Sequence, residues 1–107
     1  MGKLEAEFQK QLRKDLEKIF PGCITKKMEP DDPQGFPDLA VWWGKHYAIL
    51  ECKRSANAPK RPNQDYYVNL FNEWSFSAFV YPENKEEVLH EMERAWKSEW
   101  ASRPIKR

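Results

Sequence analysis

The chain has 107 residues, and its formal net charge at pH 7 is only +1. This length predicts one domain over 1–107, and a hydrophobic content of 40%, with five Trp and six Phe residues, excludes a disordered protein. The longest hydrophobic run, over 39–43, is too short to cross a membrane, and we expect no signal peptide. Two cysteines are too few for a disulfide framework, so we expect a cytoplasmic protein.

The first half of the chain predicts one helix and three strands. Hydrophobic residues recur at helical spacing over 4–20, and Pro21 and Gly22 end this helix. A segment with three prolines and one glycine, over 29–37, reads as an irregular loop. The strand candidates are a weak one over 23–28 and two strong ones over 39–43 and 47–53.

The second half predicts a helix, a strand and a last helix. A polar, basic loop over 54–61 leads to a helix over 62–74, whose first helical position suits Pro62 because its φ is fixed. A strand follows over 76–81. Asn84 and Glu87 resemble a capping box at the start of the last helix. The basic tail spans 101–107.

This order of elements predicts an α/β (α+β) sandwich around one mixed sheet, with its core over about 4–96. Cys52 is expected to be a small core residue, and His46, at the tip of a hairpin, is expected at the surface. Trp96 and Trp100 exceed what the last helix needs for a monomer core, so they suggest contacts in a homodimer.

Asp38 and Glu51 are predicted to face each other across a hairpin. If Gly44 and Lys45 form a type II′ turn, residues equally distant from it pair, and Asp38 pairs with Glu51. Two carboxylates placed together repel, and a hard divalent ion held by carboxylates, a backbone carbonyl and waters relieves that repulsion. Strand alternation adds Lys53 to the same face. The alternative is a surface ion pair between Lys53 and Glu51.

The first helix offers a third carboxylate. At ~100° per residue, Glu5 falls within the hydrophobic sector of this helix and Glu7 falls outside it. A carboxylate that faces the core needs a partner, which favours Glu5. A twisted helix end would reverse the choice in favour of Glu7.

The loop that follows these residues is rich in cations and contains no acid. Beside a phosphodiester site, we expect Arg54, Lys60 and Arg61 to contact phosphate and Asn57 to add a polar contact. The alternative is an ordinary solvated loop. The aromatic residues of the second helix are expected to be mostly core, although one or two could stack on an unpaired base.

The pattern Asp38…Glu51-x-Lys53, with Pro37 before the aspartate, resembles the PD-(D/E)xK nuclease superfamily. Glu5-x-x-x-Gln9, Gly35-x-Pro37-Asp38 and a Gln64 that opens the second helix are similar to its VRR-NUC and Holliday-junction-resolvase-like branches, which are often phage-encoded. The usual Ser-x-x-Gln at that helix is not matched, because arginine stands where the serine would be.

The resemblance implies a restriction-endonuclease-like core and a metal site. Its metal is Mg²⁺, for which Mn²⁺ can substitute. The implied metal ligands are Asp38, Glu51, Glu5 and the backbone carbonyl of Cys52, and Lys53 assists the attacking water. The implied contact of Gln64 is with nucleic acid.

The function that follows is a Mg²⁺-dependent DNA endonuclease, either selective for junctions and flaps or nicking. One alternative is a nucleic-acid-binding module without catalysis. Another is a small interaction protein that acts on a nuclease or a replication factor. The expected partner is DNA, and no membrane partner is expected.

Overall fold

The computed structural model describes residues 2–29 and 31–102 and, within them, has three helices and four strands. The elements are α1 (Lys3–Ile19), β1 (Ile24–Lys27), β2 (Leu39–Trp43), β3 (His46–Cys52), α2 (Gln64–Trp74), β4 (Phe76–Val80) and α3 (Lys85–Ser102). The strands form one sheet in the order β1-β2-β3-β4. The first three pair antiparallel, and β4 pairs parallel with β3. The predicted α+β sandwich around a mixed sheet is confirmed.

The hairpin between β2 and β3 has the predicted turn and register. Gly44 has a φ of 61°, and Lys45 does not share its positive φ, which fits a type II′ turn. The ladder runs along both strands from this turn to the pair of Leu39 and Leu50. One step further, Asp38 immediately precedes β2 and Glu51 belongs to β3, and both side chains line the same cavity.

Helices α1 and α3 cover one face of the sheet and enclose the hydrophobic core. The core residues are Leu12, Leu16, Phe20, Leu39, Val41, Ala48, Leu50, Cys52, Val80, Val88, Leu89, Met92 and Trp96. They alternate along each strand, as expected for a sheet with one face against these helices. Leu4, which the helical spacing places in the same stripe, is 68% exposed, because the first turn of α1 extends past the sheet into the cavity described below.

Trp96 belongs to this core, which corrects two predictions. Only 3% of it is exposed, and its ring lies 4.8 Å from that of Phe20, so it is not available for a homodimer contact. His46, predicted at the surface, is 8% exposed because its ring stacks on Trp96 at 5.5 Å. The side chain of Trp100 and the tail over 103–107 lie outside the described residues.

Helix α2 covers the other face of the sheet, over β3 and β4, and begins two residues later than predicted. Pro62 is not its first helical residue. It lies in a turn in which the backbone N–H of Gln64 donates to the backbone carbonyl of Arg61 at 3.2 Å. Asn63 has a φ of 70° and a ψ of −2°, so this is a type II turn, which favours proline before asparagine.

The predicted capping box at the start of α3 is wrong. Asn84 does precede the helix, but its side chain turns back to the end of β4. It accepts from the Tyr81 amide at 2.9 Å and donates to the Phe79 carbonyl at 2.9 Å. Asparagine commonly forms such local bonds to nearby backbone, and here they compete with capping. Within the described residues, every helix is too short or too polar to pass through a bilayer.

Candidate active site

A cavity of about 490 Å³ opens at the end of the sheet where β2 begins and β3 finishes. Because these strands are antiparallel, Asp38 and Glu51 lie at this same end. Their neighbour Lys53 lines the cavity with them, as does Glu5 from the first turn of α1. The structure therefore brings together the four side chains to which the sequence and its resemblance assigned catalytic roles.

Asp38 is fixed by the end of β3. Its Oδ1 accepts a hydrogen bond from the backbone N–H of Cys52 at 3.0 Å. Burial raises the pKa of Asp38 to about 6, although hydrogen bonds from Cys52 lower it, and the negative charge of Glu5 adds to the rise. The next residue of β3, Cys52, has a thiol whose pKa is raised by burial, as expected for an inert core cysteine.

Glu51 lies deeper and is only 6% exposed. Its Oε2 accepts from Nε2 of Gln64 at 3.0 Å. Burial raises the pKa of Glu51 to about 8, and the charge of Asp38 contributes to this increase. Two neighbouring carboxylates of this kind, one buried and one half-buried, would share a proton or attract a cation.

Lys53 is buried on the same face and is held from two sides. Its Nζ donates to Oε1 of Gln64 at 2.7 Å and to the backbone carbonyl of Pro59 at 3.0 Å. Among the described residues it forms no ion pair within 4.0 Å, so the alternative of a surface pair with Glu51 is wrong. Neutral groups therefore hold the ammonium in place in the cavity that Asp38 and Glu51 also line.

Gln64 is the residue whose role the sequence analysis missed. Its amide bridges Glu51 and Lys53, and its Oε1 also accepts from the backbone N–H of Arg61 at 2.8 Å. It is 5% exposed, which does not fit the expected contact with nucleic acid. Its position at the start of α2 could have indicated these contacts, because a side chain at that position faces the end of β3 when the helix crosses the sheet.

Gly35 fixes the loop before β2 against the turn that starts α2. Its φ is 83°, a conformation that favours glycine. An added Cβ would overlap the Pro62 carbonyl and come within 2.7 Å of the Asn63 Cβ. This contact holds together the two loops that flank Asp38 and Gln64.

Asp38 and Glu51 have the oxygen donors that a divalent cation takes. In the described part of the chain, no three His, Cys, Asp and Glu side chains are arranged to hold a metal ion. Glu5 therefore does not complete a set of three protein ligands with Asp38 and Glu51. Mg²⁺ keeps several waters and takes one or two carboxylates together with substrate phosphates, which suits this pair. The backbone carbonyl of Cys52 stays a predicted ligand.

Glu5→Gln is expected to impair cleavage more than Glu7→Gln. Glu5 is half-buried, lines the cavity and raises the pKa of both Asp38 and Glu51 through its charge, whereas Glu7 is exposed. Single-turnover rates at several Mg²⁺ concentrations measure the difference. Equal effects of the two substitutions would contradict the assignment of Glu5.

The predicted cationic contacts divide into two groups. Arg54 and Arg61 line the cavity, and so does Lys27 of β1, which the sequence analysis did not select. Lys60 does not line the cavity, because its Nζ pairs with Asp65 at 3.0 Å and lies over the ring of Phe79. Asn57 is exposed and also lies outside the cavity lining.

Arg61→Ala is therefore expected to weaken DNA binding, with Lys60→Ala as the matched control. Loss of one phosphate contact should reduce the slope of log affinity against log salt by about one. Lys60→Ala should leave the slope unchanged because its ammonium is paired away from the cavity. Salt-titrated binding isotherms in Ca²⁺ test this, and an equal loss of slope in both variants would contradict it.

No protein-family model matches this sequence, and no curated protein matches it. A solved structure described as a VRR_NUC domain superposes with a TM-score of 0.67 at 21% identity, covering 83% of this chain and 97% of that one. The chain has the fold of a VRR_NUC domain. The Holliday junction resolvase Hjc of Archaeoglobus fulgidus is also similar, with a TM-score of 0.49 at 17% identity, over 71% of this chain and 67% of that one. The superposition on the VRR_NUC domain confirms the resemblance for the fold, and phage origin stays a prediction.

Proposed function

We propose that this VRR_NUC-like chain is a Mg²⁺-dependent nuclease that hydrolyses DNA phosphodiester bonds. The observation that carries the proposal is that Asp38 and Glu51 line one cavity together with Lys53, with Glu51 and Lys53 buried and Asp38 half-buried. Around them the cavity is lined by cations that suit a polyanion. These cations are Lys3, Lys27, Arg54 and Arg61.

When bound, Mg²⁺ neutralises phosphate oxygens and lowers the pKa of a coordinated water. Asp38 and Glu51 would hold it, each kept in position by the hydrogen bond described above. Lys53 would place its ammonium where negative charge develops on the phosphate, or orient the water. Gln64 bonds both Glu51 and Lys53, so it positions the carboxylate and the ammonium relative to each other without contact to the substrate.

A binding module without catalysis is less consistent with this cavity. The two carboxylates in the cavity repel a phosphate backbone unless a cation lies between them and the phosphate. Phosphate binding alone would need only the surrounding arginines and lysines. The carboxylate pair therefore favours a nuclease over a module that only binds.

The test is cleavage of supercoiled plasmid, flap DNA and a four-way junction by purified protein in Mg²⁺, Mn²⁺ or EDTA. Cleavage is expected with either cation and not with EDTA, and Asp38→Asn should remove it. A matched RNA duplex shows whether RNA is cut. DNA binding without cleavage in either cation would identify a binding module, and the absence of both binding and cleavage would favour an interaction protein.

A homodimer stays a prediction, which sedimentation of the same preparation can test.

A further inference from the structure

Five aromatic rings follow one another along one flank of α2, starting at the cavity. The ring of Phe36 lies 5.4 Å from that of Tyr67 and 5.4 Å from that of Phe71. The ring of Trp74 lies 5.5 Å from that of Phe71, and the ring of Tyr66 lies 5.1 Å from that of Tyr67. We call Phe36, Tyr66, Tyr67, Phe71 and Trp74 the aromatic row.

The aromatic row is only partly explained by packing. Val68, on the side of α2 that faces the sheet, is 6% exposed, whereas Tyr66 and Trp74 are 61% and 63% exposed. Tyr67 and Phe71 are half-buried between them. The expectation that the aromatic residues of this helix are mostly core is therefore wrong for Tyr66 and Trp74.

The aromatic row is continuous with the candidate active site. Phe36 lines the same cavity as Asp38 and Glu51, and Gln64, which bonds Glu51, begins the helix that carries the other four rings. At ~1.5 Å per residue, Trp74 lies about 15 Å along the helix from Gln64. That length matches about four stacked nucleotides at ~3.4 Å each.

From this geometry, we infer that the aromatic row is a stacking platform for unpaired bases next to the scissile phosphate. This inference rests on the proposed function and makes DNA with a single-stranded arm the substrate class. The bases of a duplex are stacked inside it and cannot reach the rings, whereas unpaired bases stack on aromatic side chains whatever their sequence. Arg61, whose side chain is 62% exposed at the cavity and lies 3.9 Å from the carboxylate of Asp31, is placed to meet the phosphates of the same strand.

A second copy of the chain is a poorer occupant of this surface. A Tyr or Trp side chain buries about 150–250 Å² at most, so covering the exposed parts of Tyr66 and Trp74 would remove roughly 200–300 Å². A stable interface buries about 800 Å² on each partner. The exposed rings alone fall well short of that area.

The experiment measures stacking without cleavage. Flap DNA carrying 2-aminopurine at each of the first four unpaired positions is titrated with protein in EDTA, and quenching of its fluorescence reports stacking. The wild type should quench at these positions and bind the flap more tightly than a duplex of equal length. The double variant Tyr66→Ala with Trp74→Ala should lose the quenching and about tenfold or more in flap affinity.

Two further variants separate stacking from general damage. Trp74→Phe retains a ring and should keep most of the quenching. Asn69→Ala, which changes an exposed residue of the same helix away from the aromatic row, should behave like the wild type. Thermal unfolding of each variant, followed by circular dichroism, verifies that it is folded.

Three outcomes would overturn the inference. In the first, the wild type binds flap and duplex with equal affinity. In the second, the double variant loses flap affinity and duplex affinity to the same extent. In the third, the double variant converts a dimer to a monomer and its flap affinity is unchanged. The proposed function fails separately. Absence of cleavage in Mg²⁺ together with intact quenching would remove the nuclease and leave the stacking platform, whereas cleavage without quenching would do the reverse.

Discussion

Glu51→Gln is expected to abolish Mg²⁺-dependent cleavage while the chain stays folded. The amide keeps the shape of the side chain but removes the charge that, together with Asp38, would hold the cation. Asp38→Asn should have the same effect. Single-turnover assays of both variants measure the loss, and Glu7→Gln, at an exposed position outside the cavity, serves as the control. Near-wild-type cleavage by either active-site variant would refute the assignment of that carboxylate.

Glu51→Gln should also change how the free energy of unfolding of the metal-free protein depends on pH. Folding raises the pKa of Glu51 from 4.5 to about 8 and that of Asp38 from 3.8 to about 6, chiefly through burial. Between these values the folded chain binds more protons than the unfolded chain, so the free energy of unfolding falls as pH rises. Asp38 contributes to this decrease up to about pH 6, and Glu51 contributes from about pH 4.5 to about pH 8.

Thermal unfolding in EDTA between pH 5 and pH 9 checks this expectation. Glu51→Gln should flatten the decrease and raise the melting temperature near pH 8, because it removes a buried charge. Mg²⁺ should stabilise the wild type more at pH 8 than at pH 5, since protons compete with the cation for the carboxylates. An unchanged slope in the variant would show that Glu51 does not carry the effect.

Lys53→Met is expected to lower the single-turnover rate by about 10²-fold or more. Methionine fills the space of the lysine stem but lacks the ammonium that Gln64 and Pro59 hold beside the carboxylates. Because Lys53 is 6% exposed, it offers little surface to the DNA backbone, so binding in Ca²⁺ should change little. This pattern is the opposite of that expected for Arg61→Ala, which should reduce affinity and leave the rate at saturating DNA nearly unchanged.

Two comparisons make the role of Lys53 specific. Lys53→Ala should show the same loss of rate, and a much larger loss than Lys53→Met would indicate a packing defect. Gln64→Ala removes one of the two acceptors of the ammonium and should give an intermediate rate. If Lys53→Met mainly reduces DNA affinity while Arg61→Ala mainly reduces the single-turnover rate, then Lys53 binds DNA and Arg61 acts in catalysis, which would contradict both assignments.

The parts of the fold that were predictable from the sequence depend on local contacts. One glycine with positive φ sets the turn between β2 and β3, and this turn fixes which residues pair across the hairpin. The position of Asp38 opposite Glu51 follows from that register alone. The placement of Lys53 on the same face follows from strand alternation.

The errors concern residues whose neighbours are distant in the chain. Gln64 meets Glu51 only because α2 crosses back over the sheet to join β3 to β4. His46 is buried because Trp96 of α3 covers the hairpin tip, and nothing local indicates this. The sequence predicts a phosphate contact for Lys60, but its ammonium pairs with Asp65 in the first turn of α2. The spacing of residues in the chain predicts which face of a helix or strand is buried and how the strands of a hairpin pair. It does not predict which helix end contacts which strand.

The separation of Asp38 and Glu51 depends on the length of a single two-residue turn. One residue added or removed at 44–45 would shift the register by one position and turn one carboxylate to the opposite face of the sheet. The exposed connections at 21–22 and 82–83 lie away from the cavity and can change length without altering that pair. Related chains should therefore vary in length at those two connections while their hairpin stays constant, and a tag or inserted peptide should be accepted at those connections and not at the turn.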